Sequence, residues 1–310
     1  MSTNKTIVTT TIFAPSKAIQ EFLKFKDWTL IVVGDKKTPH EEYHRIPKII
    51  YLDPEYQETT YPELSDLIGW NCIQRRNIGY VEAYRRGADI IATIDDDNIP
   101  YADWGSQLFL GIPTDVTMYT PRQTTVAWDP FSATNYKHLW HRGFPLDLIT
   151  TKNDVSQHKT TIVPSIQADF WDGDPDVDAI ERLIHAPACT FDPSPFPICG
   201  TTMSPFNSQN TFFTREAMKD FFLFPFVGRM DDIWGSFYAQ AKGHRVVYNH
   251  PTVFQERNVH NHLIDFDKEI LGYKSNSKLM EELAKDPENI KNFVPERTYA
   301  ALKAYTQYFV

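Results

Sequence analysis

From Lys5 to Asp97 the chain alternates short apolar or β-branched runs with longer amphipathic ones. TIVTTTIF (6–13), TLIVVGD (29–35), KIIYLD (48–53) and DIIATIDDD (89–97) have the residue types and lengths of strands. Between them the spacing predicts a helix from Ser16 to Phe25 and a long one from about Ser65 to Arg86. Strands that are apolar throughout, each followed by a helix, predict a parallel sheet covered on both faces. Ligands of such sheets bind beyond the carboxyl ends of the strands. Two of these strands end in acid there, at Asp35 and at Asp95, Asp96 and Asp97.

The middle third is richer in Pro, Trp and Asp, and its period-2 runs, TTIVPSI (160–166) and NTFF (210–213), are separated by turn residues. A mixed sheet with loops is expected, since no low-complexity linker interrupts the chain. Ile233, Phe237 and Ala241 share one helical face, and Gly243 stands where such a helix stops. HRVVYNHPTVFQERN (244–258) reads as a last strand and loop. Beyond about Asp265, SKLMEELAKD and ERTYAALKAYTQYF read as charged amphipathic helices with no evident chemistry.

Composition narrows the partners. A formal charge of -9 with no Lys/Arg run argues against nucleic acid as the main partner. The N-terminus lacks an apolar core of signal-peptide length, and no stretch approaches the roughly 20 apolar residues that span a bilayer. A cytoplasmic protein without a transmembrane segment is therefore expected. Cys72, Cys189 and Cys199 form neither a CxxC pair nor an even set, so buried reduced thiols are expected.

Three adjacent carboxylates repel one another unless a cation or free water lies among them. If the strand continues through them, Asp95 and Asp97 point together and Asp96 points away. Such a pair suits Mg2+ or Mn2+ that also holds a diphosphate, whereas the plainer reading is a solvated acidic turn. Arg76 falls on the inward stripe Ile73–Arg76–Tyr80–Tyr84, where a guanidinium needs a partner: a diphosphate, or one of the aspartates. Asp231 and Asp232 open a helix, so one can cap while the other acts as a general base or sugar anchor. DGDPDVDAI (172–180) lacks the Gly and Glu of a calcium loop and reads as a carbohydrate-contacting loop or a turn. Trp128, Trp140, Trp171 and Trp234 are candidate sugar-stacking faces, and His250, His260 and His262 candidate late metal ligands.

TIVTTTIFAPSKAIQEFLKFKDWTLIVVGD, RNIGYVEAYRRGADIIATIDDDN, DFWDGDPDVDAIERL, PFNSQNTFFTREA and GRMDDIWGSFYAQ occur in the order that resembles the STELLO-like glycosyltransferases. A more distant resemblance runs to the reversibly glycosylated polypeptides, which act as UDP-arabinopyranose mutases. The resemblance covers about residues 5 to 260. It implies an α/β, GT-A-type nucleotide-diphospho-sugar transferase fold with a mostly parallel central sheet flanked by helices. The catalytic domain would span 1–264, with a nucleotide-binding half over 1–100 and an acceptor half over 101–264, and 265–310 would be a helical extension.

The implied activity is metal-dependent transfer of a sugar from a nucleotide-diphosphate donor, UDP-sugar favoured, to a carbohydrate or glycoconjugate acceptor. Pro15 and Asp35 would lie at the base and ribose, Arg76 and Asn77 at the phosphates, and Asp95, Asp97 and His250 at Mn2+ or Mg2+. Asp96 would hydrogen-bond the donor or an arginine. Asp232 would be the acceptor-side base, and Arg76 would stabilise the leaving diphosphate. The STELLO proteins are membrane-anchored in the Golgi, and the absence of an anchor here keeps that location from being carried over. The alternatives are a mutase, in which Arg76 matches the glycosylated arginine, and a non-catalytic sugar-nucleotide-binding protein. A nucleotidyltransferase or a NAD enzyme would need a Gly-rich loop after the first strand, and IFAPSKA has none.

Overall fold

The computed structural model describes residues 3–256 and 261–309. The first third follows the alternation read from the sequence: β1 (Lys5–Thr11), α1 (Lys17–Phe22), β2 (Trp28–Gly34), α2 (His40–His44), β3 (Ile49–Leu52), α3 (Pro54–Thr60), α4 (Pro62–Ile68), α5 (Arg76–Arg85) and β4 (Ile90–Ile94). The side chains of Ser16 and Asp53 accept from the amides of Ile19 and Tyr56, which fixes the starts of α1 and α3. Strands β3, β2, β1 and β4 pair in parallel in that order. Helix α5 packs on β1 and β2, close enough that a Cβ on Gly79 would stand 2.4 Å from Val8 Cγ1.

The remainder adds β5 (Asn98–Pro100), β6 (Thr114–Pro121), β7 (Val155–Ile162), β8 (Ile166–Gly173), α6 (Ala179–His185), β9 (Ile198–Gly200), β10 (Asn210–Thr214), α7 (Arg215–Met218), α8 (Asp231–Ala241), β11 (Val246–Gln255), α9 (His262–Lys285) and α10 (Glu296–Thr306). All strands join one 11-stranded sheet, ordered β3-β2-β1-β4-β10-β8-β11-β9-β6-β7, with β5 paired to β11. The parallel character resides mainly in the N-terminal quartet. Strand β10 runs antiparallel between β4 and β8, and β11 then runs parallel to β8. The run TTIVPSI, expected as one strand, breaks at Pro164 into the end of β7 and the start of β8.

The helix expected over Ser65–Arg86 is interrupted. Helix α4 stops at Gly69 (φ +81°), the chain passes through Asn71 at φ +59°, and a 3₁₀ turn over Ile73–Arg75 leads into α5. Helix α5 is also not striped as its sequence spacing suggested: every residue from Arg76 to Ala83 is buried, and Ile73 is exposed. Trp128, Trp140, Trp171 and Trp234 are all buried core residues rather than sugar-stacking faces. Indole N–H groups of two of them are held inside, Trp140 by Asp178 at 2.6 Å and Trp234 by Asn276 at 2.9 Å.

The C-terminal helices close the molecule rather than trail from it. Tyr305 of α10 donates to Met218 O at 2.8 Å and stacks near Phe222, while α9 packs along α6 and α8. Among the described residues no helix is long and apolar enough to cross a membrane. Gly228 (φ +66°) lets the segment before α8 lie on the backbone of α9, since a Cβ there would stand 2.1 Å from Lys268 O. Gly228→Ala is therefore expected to cost about 2–4 kcal/mol of folding stability, measured by urea denaturation.

Candidate active site

Strand β4 ends at Ile94, so the three aspartates form a turn rather than a strand continuation. The Asn98 amide donates back to Asp95 O at 3.4 Å, and the Asp95 amide donates to Gln209 O at 3.3 Å. Asp96 faces β1: its carboxylate accepts from the Thr11 hydroxyl and its carbonyl from Ser16 Oγ at 2.6 Å. Burial pushes its carboxyl up, and the Thr11 hydrogen bond opposes the rise. Asp95 and Asp97 both line an open cleft of about 490 Å³. Asp97 also lines a second, smaller cavity together with Asp96, so the three acids do not divide as strand alternation would have it.

Arg76 is 1 % exposed and does not line that cleft. It lies beneath Asp95, donating through Nη2 to Asp95 Oδ1 at 2.7 Å and through Nη1 to Ser208 O at 2.9 Å. Burial opposes its charge, Asp95 favours it, and the guanidinium pKa stays above its ordinary value. Of the two partners proposed for Arg76, the structure thus shows the aspartate. The arginine on which the mutase resemblance turns is enclosed and does not face the cleft.

A second arginine, on the lining of the cleft itself, holds two acids. Arg142 donates to Asp176 through Nε and Nη2 at 2.8 and 2.9 Å, and to Asp232 through Nη1 and Nη2 at 3.1 and 3.2 Å. Burial works against this charge, but Asp176 and Asp232 more than offset it and hold the Arg142 pKa well above its ordinary value. Asp232 also accepts from the amides of Ser208 at 3.0 Å and Ile233 at 2.9 Å, so both its oxygens are engaged. Its neighbour differs. Asp231 accepts from Gln74 Nε2 at 2.7 Å, and burial, reinforced by Asp232, pushes its carboxyl up to about 7. Asp232, expected as the acceptor-side base, is thus held by Arg142, while Asp231 on the same cleft carries the carboxyl raised to about 7.

Other expected residues fall in different places. Asn77, expected at the phosphates, bonds the Leu223 peptide through its amide nitrogen and oxygen at 2.8 and 2.9 Å and is fully buried away from the cleft. Asp35 is buried at the end of β2, accepting from the amides of Lys36 at 2.6 Å and Cys72 at 3.2 Å. Pro15 lies half-buried in the loop between β1 and α1. His250 lies at the bulge of β11, bonded to Pro251 O at 3.0 Å, five residues before the Gln255 that lines the cleft. At about 3.3 Å per residue, that spacing separates it from Asp95 and Asp97. His260 lies outside the described residues. His262 begins α9 and lines none of the larger cavities.

Sequence reasoning singled out DGDPDVDAI without separating its acids. Asp172 accepts from Tyr101 at 2.9 Å, Asp174 pairs with Arg182, Asp178 caps α6, and Asp176 alone of the four lines the cleft. Arg142, Ser208, Gln209 and Gln255 carried no recognisable spacing. Their signal is tertiary, as in Gln209 Nε2, which donates to Gln255 Oε1 at 2.9 Å across 46 residues.

Among the described residues no group of three or more His, Cys, Asp and Glu could hold a metal ion. Asp95 and Asp97 offer two carboxylates on one open cleft, a donor set that fits Mg2+ or Mn2+, ions that keep waters and take phosphate oxygens for their other positions.

No family model matches the chain. Among curated proteins it is similar to glycosyltransferases. It is 24% identical over 311 residues to the probable glycosyltransferase STELLO2 of Arabidopsis thaliana, covering 88% of this chain and 40% of that protein. STELLO1 of the same plant is 23% identical over 190 residues, covering 57% of this chain and 24% of that protein. The chain is thus a distant homologue of the STELLO glycosyltransferases and spans at most about two fifths of their length. In solved structures it resembles Mycobacterium tuberculosis glucosyl-3-phosphoglycerate synthase in complex with Mg2+ and UDP (TM-score 0.45, 12% identity, 89% of this chain and 80% of that one). It also resembles the mannosyltransferase PcManGT of Pyrobaculum calidifontis in complex with GDP-Man and Mn2+ (TM-score 0.41, 10% identity, 100% of this chain and 86% of that one).

Two outcomes follow from the packing of this site. Asn77→Ala strands the Leu223 peptide, so urea denaturation is expected to show a loss of about 1–3 kcal/mol. Because the folded Asp231 carboxyl titrates at about 7 and the unfolded one at 3.8, the native state holds the extra proton between those values. Its contribution makes stability fall as pH rises from 3.8 to about 7, and buried Asp169 and Asp178 act in the same direction. Asp231→Asn is expected to flatten that slope in denaturation midpoints measured across the window.

Proposed function

We propose that this chain is a metal-dependent, GT-A-type glycosyltransferase that moves a sugar from a nucleotide-diphosphate donor, UDP-sugar favoured, to an acceptor hydroxyl. The observation that carries the reading is the electrostatic asymmetry of one cleft. At the end of β4, Asp95 and Asp97 line the cleft and buried Arg76 pairs with Asp95; Asp231, which lines the same cleft, is an acid titrating near 7. The distant homology to the STELLO glycosyltransferases supports the same class.

In this reading Asp95 and Asp97 hold Mn2+ or Mg2+, and the ion, when bound, supplies positive charge to the leaving diphosphate. Arg76 positions Asp95; it is not itself a phosphate contact. Asp35 and the turn over Asn71–Gln74, at the ends of β2 and α4, flank the place for the nucleoside. Asp231 takes the acceptor proton. A carboxyl with a pKa near 7 is matched to that task at neutral pH, whereas Asp232 keeps Arg142 and Ser208 in register.

The reading is tested with a panel of nucleotide sugars and Mn2+. Asp97→Ala is expected to abolish Mn2+-dependent UDP binding by calorimetry while the fold persists; unchanged binding would remove the metal assignment. Asp231→Asn is expected to spare UDP binding and lower transfer by about 10²–10⁴-fold. For the wild type the rate of transfer should rise with pH to a plateau above about 7, the value at which Asp231 gives up its proton. Nucleotide binding without transfer or hydrolysis of any donor would leave a sugar-nucleotide-binding protein instead.

A further inference from the structure

Among the described residues three that are not glycine have a positive φ, and two of them, Asn71 and Phe226, line the cleft. Phe226, at φ +64°, is the more unusual, because a bulky side chain resists that conformation. Phe226 is also 53% exposed in the cleft, which exposed Ile73 lines as well, beside the acids and amides. A turn alone would be met more easily by Gly or Asn. The surroundings instead force the conformation. Thr298 Oγ1 donates to Pro225 O at 2.8 Å, immediately before the strained residue, and the Arg297 guanidinium lies 5.2 Å from the Phe226 ring centre. Arg297 is itself anchored, donating through Nε to Leu67 O at 3.0 Å at the end of α4. On the other side, the Phe224 amide donates to Asp231 O at 3.2 Å, which ties the aromatic segment to the start of α8.

We propose that Phe226 is a preorganised stacking platform for a pyranose ring of the acceptor, so that the acceptor of this site is a carbohydrate. The proposal rests on the glycosyltransferase reading of the cleft and adds its acceptor class. A sugar ring offers an apolar C–H face that an aromatic ring matches and hydroxyl edges that the surrounding polar groups match. Phe226 belongs to the segment that carries Asp231, whereas Asp95 and Asp97 come from β4, so the platform lies with the base and not with the metal pair. Rigid placement lowers the ordering cost of binding, which gives the strain a use. The C-terminal helix α10 then has a functional part: through Arg297 and Thr298 it holds the platform.

The test measures binding of p-nitrophenyl glycosides by saturation-transfer NMR, in the full chain saturated with UDP and Mn2+. At least one glycoside is expected to bind the wild type. F226G and F226A are expected to weaken it about tenfold, F226W to retain it, and R297A to weaken it several-fold, all with UDP affinity unchanged. F226G should also unfold at no lower a denaturant concentration than the wild type, because glycine accepts the left-handed backbone. Equal glycoside binding by F226G and wild type, or no glycoside binding while UDP is bound, overturns the platform. Failure of the wild type to bind UDP overturns the glycosyltransferase reading beneath it.

Discussion

Five carboxylates, Asp95, Asp97, Asp176, Asp231 and Asp232, open on one cleft, and like charges at low dielectric cannot be gathered without cations built in beside them. Arg142 meets most of this need. Its planar fork reaches Asp176 with two nitrogens and Asp232 with two, which an ammonium could not do. Everything else on that wall takes its position from this clamp. The loop over 172–178 is drawn to the start of α8, Ser208 is set against Asp232, and the remaining acid, Asp231, is left beside two carboxylates that share one arginine.

Arg76 does the corresponding work beneath Asp95, and the two sites differ in what they leave over. Beneath Asp95 the charge is supplied from inside the protein, so the acid stays paired while half facing the cleft. At Asp231 the partner is the neutral amide of Gln74, and burial raises the carboxyl toward neutrality. One cleft therefore holds an acid paired with an arginine and an acid whose carboxyl is raised toward neutrality. That difference arises from where the arginines stand, since the acids themselves are chemically identical.

The interruption between α4 and α5 and the docking of α10 shape the third side. Gly69 and Asn71 end one helix and turn the chain so that Asn71, Cys72, Ile73 and Gln74 line the cleft. Arg297 then bridges the end of α4 to Phe226, so residues near both ends of the chain fix a segment from its later middle. The C-terminal helices, expected as a helical extension, pack against this region: Lys268 of α9 lines the cleft and Arg297 of α10 lies over Phe226.

Local sequence was sufficient for the strands β1 to β4, for the acids at their carboxyl ends and for the start and stop of α8, because each depends on a short apolar run, a cap or a glycine close in sequence. It was also sufficient to mark Arg76 as a buried cation that needs a partner. It could not tell which of Asp231 and Asp232 would be tied down, since that depends on Arg142, some 90 residues away. The same holds for Asn77, whose partner is the peptide of Leu223, and for His250, which the β11 bulge carries away from the acids. Spacing along a chain reports which residues share a face. The charge state and accessibility of a side chain are set by what packs against it from distant segments, and only the tertiary structure brings those together.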